Sequence, residues 1–120
     1  MKYLLLIYNN PAAWATLTEA DRQVLMAEVD ALMAELAESG ELIGGAALAD
    51  PSDTTTVRVR DGVPALTDGP FAEAKEHLAG YCVLECASRE RALAIAAAWP
   101  DARLSATQIS PIIDTVGALA

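Results

Sequence analysis

Residues 1–11 read Met1-Lys2-Tyr3-Leu4-Leu5-Leu6-Ile7-Tyr8-Asn9-Asn10-Pro11, and the interpretation of this stretch decides the fold class. A secretory signal needs an apolar segment of about 7–15 residues. The run here is too short and ends at the Asn9-Asn10-Pro11 turn, so we predict a buried strand over residues 2–8. No later run approaches the ~20 apolar residues of a membrane span, and we expect a cytoplasmic protein with no membrane partner.

An amphipathic helix is predicted after the first strand. Thr18 is a typical N-cap residue, and Gly40 ends the helix because glycine tolerates the left-handed conformation. Apolar residues recur at intervals of three and four between these two positions, which is the spacing of one buried helix face. The residues predicted on that face are Val24, Leu25, Val29, Leu32, Met33 and Leu36.

A β-hairpin is predicted near the middle of the chain, after a strand over residues 42–48. Residues 54–60 and 63–67 form its two arms, and Asp61-Gly62 between them favours a two-residue turn with positive φ at both positions. Pro64 lacks a backbone donor, which places this hairpin at an edge of the sheet.

The last part of the domain is predicted to contain a strand, a helix and a strand. Their ranges are residues 78–86, 88–99 and 104–109. The buried stripe of this second helix is predicted at Ala92, Leu93, Ala96 and Trp99.

The order of these elements predicts an α+β fold with one domain over residues 1–113 and a frayed tail over residues 114–120. The architecture is a ferredoxin-like sandwich, in which two helices lie on one face of an antiparallel sheet, with an additional edge hairpin. No third helix covers the other sheet face, although its strands carry many apolar residues. We therefore expect a homodimer in which two sheets pack face to face.

Composition excludes several classes of function. The net charge of -9 and the small number of basic residues argue against direct nucleic-acid binding. One histidine and no clustered cysteines argue against a metal site, and no phosphate-binding glycine loop is present, so no cofactor is predicted. Cys82 and Cys86 on one strand would have Cα atoms about 13 Å apart, which is too far for a disulfide.

The chemically richest segment is Asp68-Gly69-Pro70-Phe71-Ala72-Glu73-Ala74-Lys75-Glu76. Asp68 and Phe71 have a structural interpretation, as a turn residue and a core side chain, and an equally strong functional one. Charged residues in a turn are usually only solvated. In a pocket wall, a lysine would hold an anionic substrate and a buried carboxylate would move a proton. The candidate catalytic residues are Asp68, Glu73, Lys75 and Glu76, and the candidate ligand-binding residues are Tyr8, Phe71, His77 and Tyr81.

This segment, together with Leu78-Ala79-Gly80-Tyr81, Thr55-Thr56-Val57-Arg58 and residues 3–8, resembles the YCII-related proteins and specifically their DGPF branch. The resemblance implies a dimeric α+β barrel and a possible association with a sigma factor, but no established activity. The His-Asp pair of the other YCII branch has no counterpart here, because residues 18–22 contain no histidine. The usual motif has threonine at position 74 and glutamine at position 77, where this chain has Ala74 and His77.

Two functions follow as hypotheses. The first is a cofactor-independent enzyme that transfers a proton to, or oxygenates, a small molecule, which is anionic if Lys75 holds it. The second is a non-catalytic dimer that senses a ligand or binds a protein, such as a sigma factor. A basic partner would suit the acidic surface of such a module.

Overall fold

The computed structural model describes residues 1–70 and 75–119. In chain order the elements are β1 (Lys2–Asn9), α1 (Pro11–Ala15), α2 (Glu19–Ser39), β2 (Leu42–Ala47), β3 (Thr55–Arg60), β4 (Val63–Asp68), β5 (His77–Glu85), α3 (Arg89–Ala98), α4 (Asp101–Leu104) and β6 (Ala106–Pro111). Short 3-10 turns occupy residues 51–53 and 117–119.

Four strands form one antiparallel sheet in the order β2-β5-β1-β6. β1 lies in its centre, with Leu5 opposite Cys82 of β5 on one side and opposite Ile109 of β6 on the other. This is the strand order of a ferredoxin-like sandwich and confirms the predicted α+β class. The sheet is open rather than closed into a barrel, and the packing of two sheets in a dimer stays a prediction.

The predicted hairpin forms a separate two-stranded sheet, which we call the ribbon (β3 and β4). Its turn is as expected, because Asp61 and Gly62 have φ angles of 51° and 76°. Its base is closed by the backbone N–H of Gly69, which donates to the carbonyl of Thr54 at 2.6 Å. The prediction that Pro64 places this hairpin at an edge of the main sheet was wrong, because β3 and β4 pair only with each other among the described strands. We call the rest of the described structure the body.

The hydrophobic core lies between the four-stranded sheet and the helices. Alternate residues of β1 face it, and Tyr3 and Leu5 are 2% and 0% exposed. α3 contributes Ala92, Ile95, Ala96 and the adjoining Trp99. Leu93, which the sequence placed on this stripe, is instead 39% exposed, because the buried face follows the spacing 92, 95, 96 and 99.

The long helix α2 has the caps that the sequence predicts. The Thr18 hydroxyl accepts a hydrogen bond from the N–H of Asp21 at 3.1 Å, and Gly40 has a φ of 80°. Its predicted apolar face is less well packed than expected, because Leu36 is its one fully buried residue. Val24 is 58% exposed and Met33 is 37% exposed.

Two short helices were missed in the sequence. α1 begins at Pro11 because the Asn10 side chain accepts hydrogen bonds from the N–H groups of Ala12 and Ala13. α4 occupies residues 101–104, so the last strand begins at Ala106 instead of residue 104.

Cys82 and Cys86 are buried and unbridged, as predicted. Across residues 1–70 and 75–119, the helices are too short or too polar to cross a membrane.

Candidate functional site

A partly enclosed cavity of about 420 Å³ lies between α2 and the sheet, and we call it the main cavity. Met26, Val29 and Met33 line it from α2, where they follow one another at spacings of three and four residues. Ile7, Leu42 and Trp99 add apolar surface from the sheet side and from the end of α3. The cavity explains why α2 buries so few residues completely, since part of its apolar face contacts this space instead of the sheet.

The sheet side of the main cavity is formed by residues 44–47 and 79–82. Gly45 and Gly80 allow β2 and β5 to approach each other here. A Cβ atom on Gly80 would lie 2.8 Å from the carbonyl oxygen of Ala46, and one on Gly45 would overlap the carbonyl oxygen of Tyr81. The lack of a side chain at these two positions thus permits the close pairing of β2 and β5 beside the cavity.

Asp101 is the only charged side chain among the described residues that line the main cavity. It is half-buried and begins α4, directly after Trp99 and Pro100. Burial raises the pKa of its carboxyl, and a hydrogen bond from its own backbone N–H acts in the opposite direction. A carboxyl in this position can bind a hydrogen-bonding group of a ligand or exchange a proton with it.

A second cavity of about 210 Å³ adjoins the first, and we call it the side cavity. Met26, Val29 and Asp101 line both cavities. The side cavity is completed by Asn9, Trp14, Leu25, Pro100 and Leu104. Asp101 therefore lies in the wall that the two cavities share.

Trp14 is held in the wall of the side cavity by Arg22. The guanidinium of Arg22 donates hydrogen bonds to the Trp14 carbonyl at 3.1 and 3.3 Å, and it lies 5.5 Å from the centre of the indole ring. This contact fixes α1 against the start of α2. The positive charge of Arg22 is therefore directed at Trp14, and Arg22 lines neither cavity.

The thiol of Cys82 lines the main cavity but is poorly suited to nucleophilic chemistry. Burial raises the pKa of this thiol, which keeps it protonated.

The described end of the predicted motif lies next to the side cavity. The hydroxyl of Ser105, which follows the lining residue Leu104, donates a hydrogen bond of 2.8 Å to Glu76. His77 begins β5 opposite Asn9, another lining residue. The sequence thus predicted residues near the side cavity without identifying the cavity itself.

Other predicted catalytic residues lie elsewhere or outside the described residues. Asp68 ends the ribbon strand β4 opposite Thr55 and is exposed, and Lys75 is exposed as well. Glu73 and Phe71 fall outside the described residues. The assignment of catalysis to Asp68, Glu73, Lys75 and Glu76 stays a prediction.

The two predicted ligand-binding tyrosines lie on the sheet. Tyr8 and Tyr81 alternate with the buried Ile7 and Cys82, which places their side chains on the sheet face opposite the helices. The Tyr8 hydroxyl donates to the side-chain oxygen of Gln108 at 2.9 Å. The Tyr81 position also borders the main cavity from the β5 side.

Sequence reasoning missed Asp101 and the role of Met26. Val29 and Met33 already belong to the predicted apolar face, and Met26 widens that face by one more residue. This widening was a usable signal. Asp101 gave no comparable signal, because an aspartate after Pro100 also reads as an ordinary helix start. In the described ranges, no three histidine, cysteine or acidic side chains come together as metal ligands.

Comparison with known proteins shows the family of this chain. The family model described as YCII-related domain matches residues 1–115. An uncharacterized protein of Rhizobium meliloti (strain 1021) is 32% identical over 93 residues, which cover 78% of this chain and 75% of that protein.

Proposed function

This chain belongs to the YCII-related domain family, and we propose that it binds a small, mainly apolar molecule in the main cavity. The main support for this proposal is the cavity itself, which has a volume of about 420 Å³, a mainly apolar lining and one acidic residue in the described lining. Ligand sites in proteins are typically concave, mostly apolar spaces of roughly 300–1,000 Å³ with a few polar groups. The main cavity has that size and that composition.

The chemistry that these residues support is proton transfer. Asp101 is placed to give or take a proton at the wall shared by the two cavities, and the raised pKa of its carboxyl brings its titration closer to neutral pH. The protonated Cys82 thiol is a poor nucleophile, so a covalent thioester route is disfavoured. An enzyme at this site would therefore use Asp101 as its acid or base.

The proposal is tested with an uncharged probe, 1-octanol, and the thermal unfolding midpoint. Binding to the folded state alone raises stability by about 2.7 kcal/mol at a hundred times the dissociation constant, so the midpoint should rise with probe concentration. Met33→Trp should abolish this rise because the indole occupies the main cavity. Glu35→Trp places the same side chain on an exposed position of α2 and serves as the matched control.

The proposal fails if 1-octanol leaves the wild-type midpoint unchanged up to its solubility limit. It also fails if Met33→Trp and Glu35→Trp respond to the probe equally, because binding would then occur outside the main cavity.

A second candidate function, assembly with another copy of the chain, is favoured by the exposure of the ribbon. Val57, Val59 and Leu66 are 60–70% exposed there, and an isolated two-stranded ribbon is marginally stable in water. Sedimentation velocity over a range of protein concentrations tests this proposal. A single species with the mass of one chain at all concentrations would refute it. The predicted sigma factor would then have to bind a single copy of this chain.

A further inference from the structure

The charge distribution around the two cavities distinguishes among ligand classes. No lysine, arginine or histidine is among the described residues that line either cavity, whereas Asp101 lines both. The whole chain carries a net charge of -9. An anionic ligand would be repelled by the Asp101 carboxylate in the lining and by the net negative charge of the chain. No cation in the described lining would offset this repulsion.

An uncharged apolar ligand would leave a different problem. By displacing water from the Asp101 carboxylate, it would remove solvation without supplying an ionic or hydrogen-bonding partner. A protonated amine supplies both, because its N–H groups donate charge-assisted hydrogen bonds to the carboxylate. Its alkyl substituents would contact the apolar walls of the cavities.

We infer that the ligand of this site is an apolar amine in its cationic form, with the ammonium nitrogen at the Asp101 carboxylate and the carbon skeleton in the main cavity. This inference rests on the proposed function, since it requires that the main cavity binds a small molecule. It replaces the anionic ligand expected from Lys75 in the sequence. The side cavity, which meets the main cavity at Asp101, accepts a second substituent on the nitrogen.

The surrounding charges are already engaged or lie beyond the lining. Arg103 of α4 is paired with Glu28 of α2 at 2.8 Å, and Arg22 contacts Trp14. Glu76 and His77 lie next to the side cavity, on the side of Ser105 and Asn9. On β5, Tyr81 and Cys82 line the main cavity, and their functional groups are a phenol and a thiol.

Three probes with the same eight-carbon chain test the inference: octylamine, 1-octanol and octanoate. Calorimetric titration at pH 7 should show octylamine binding at least tenfold more tightly than 1-octanol, and octanoate binding more weakly than both. Asp101→Asn should remove the advantage of octylamine over 1-octanol, because the amide carries no charge for the ammonium group to pair with. Asp30→Asn changes the net charge equally at an exposed position of α2, and it should leave the tenfold advantage intact.

The pH dependence of the wild-type protein provides a test that needs no variant. Octylamine stays protonated below pH 8, since alkyl ammonium groups lose their proton near pH 10. Its affinity should therefore fall as acid protonates Asp101, while the affinity for 1-octanol should not fall.

The outcomes separate the two proposals. If 1-octanol binds as tightly as octylamine, the amine inference is wrong and the proposed apolar cavity stands. If Asp30→Asn reduces the advantage of octylamine as much as Asp101→Asn does, the effect arises from net charge and the inference is also wrong. If none of the three probes binds, both the inference and the proposed function are wrong.

Discussion

The body and the ribbon contain strands with similar apolar and polar alternation, yet they differ greatly in burial. In β5 the leucine Leu84 is 0% exposed, whereas in β4 the leucine Leu66 is 70% exposed. The difference arises because β5 lies between two strands and beneath helices, while β4 pairs only with β3. Alternation thus predicts a strand, but its burial depends on which other elements reach it.

The largest expected effect compares the same substitution in the two regions. Leu84→Ala removes a fully buried side chain and should cost about 2–5 kcal/mol of unfolding free energy, whereas Leu66→Ala at the exposed position should cost about 0.5 kcal/mol or less. Urea unfolding followed by circular dichroism measures both values. A similar cost for both variants would show that the ribbon is packed against something in solution, as assembly with a second copy requires.

Glycine substitutions should separate close strand packing in the body from local backbone strain in the ribbon. Gly45→Ala places a methyl group against the carbonyl oxygen of Tyr81 and should cost about 2–3 kcal/mol, as other overpacked positions do. Gly62→Ala has open space around it but a φ of 76°, and should cost about 1 kcal/mol.

Gly62→Asn is the control for the ribbon turn, because asparagine tolerates positive φ better than alanine and should recover part of the loss. The same unfolding experiment applies to all three variants. If Gly45→Ala proved harmless, β2 would have to shift away from β5, and the sheet side of the main cavity would differ from the one described.

A smaller effect is expected at an ionic contact of the body. Arg91 of α3 donates to both Glu41 carboxylate oxygens at 2.8 and 2.9 Å. These bonds and one from Ser39 lower the pKa of Glu41 from its usual 4.5 to about 2. Glu41→Gln should cost about 1 kcal/mol of unfolding free energy at pH 7, since the partners are partly exposed to water.

Asp68→Asn in the ribbon should change the unfolding free energy by less than about 0.5 kcal/mol.

The pH dependence of the Glu41→Gln effect has a defined sign. The carboxylate is favoured in the folded state, so its contribution is complete above the usual pKa of 4.5 and is lost as pH falls toward about 2. The stabilities of wild type and variant should therefore converge over that interval. A gap that persists unchanged at pH 2 would contradict an ionic origin.

Much of the fold could be predicted because its signals are local. Thr18 and Gly40 delimit α2, and Asp61-Gly62 defines the ribbon turn. The helix α4 was missed because four residues carry too little periodic pattern. The separation of the ribbon from the main sheet was missed because strand pairing depends on contacts distant in sequence.

The candidate site was predicted less well than the fold. The sequence drew attention to the charged motif, and Glu76 and His77 do lie next to the side cavity. Asp101 becomes distinctive only when α4 is packed against β1, β6 and α3, because burial then raises the pKa of its carboxyl. No single segment carries that information, because the elements that bury Asp101 come from separate parts of the chain.

The central position of β1 has a consequence for synthesis. This strand leaves the ribosome long before both of its partners, because β5 and β6 come much later in the sequence. Folds dominated by such distant pairings form slowly, because long loops must close before the contacts form. The apolar residues of β1 therefore stay unpaired until β5 and β6 have been synthesised. A chaperone that shields Leu4–Ile7 during this time should improve the yield of folded protein.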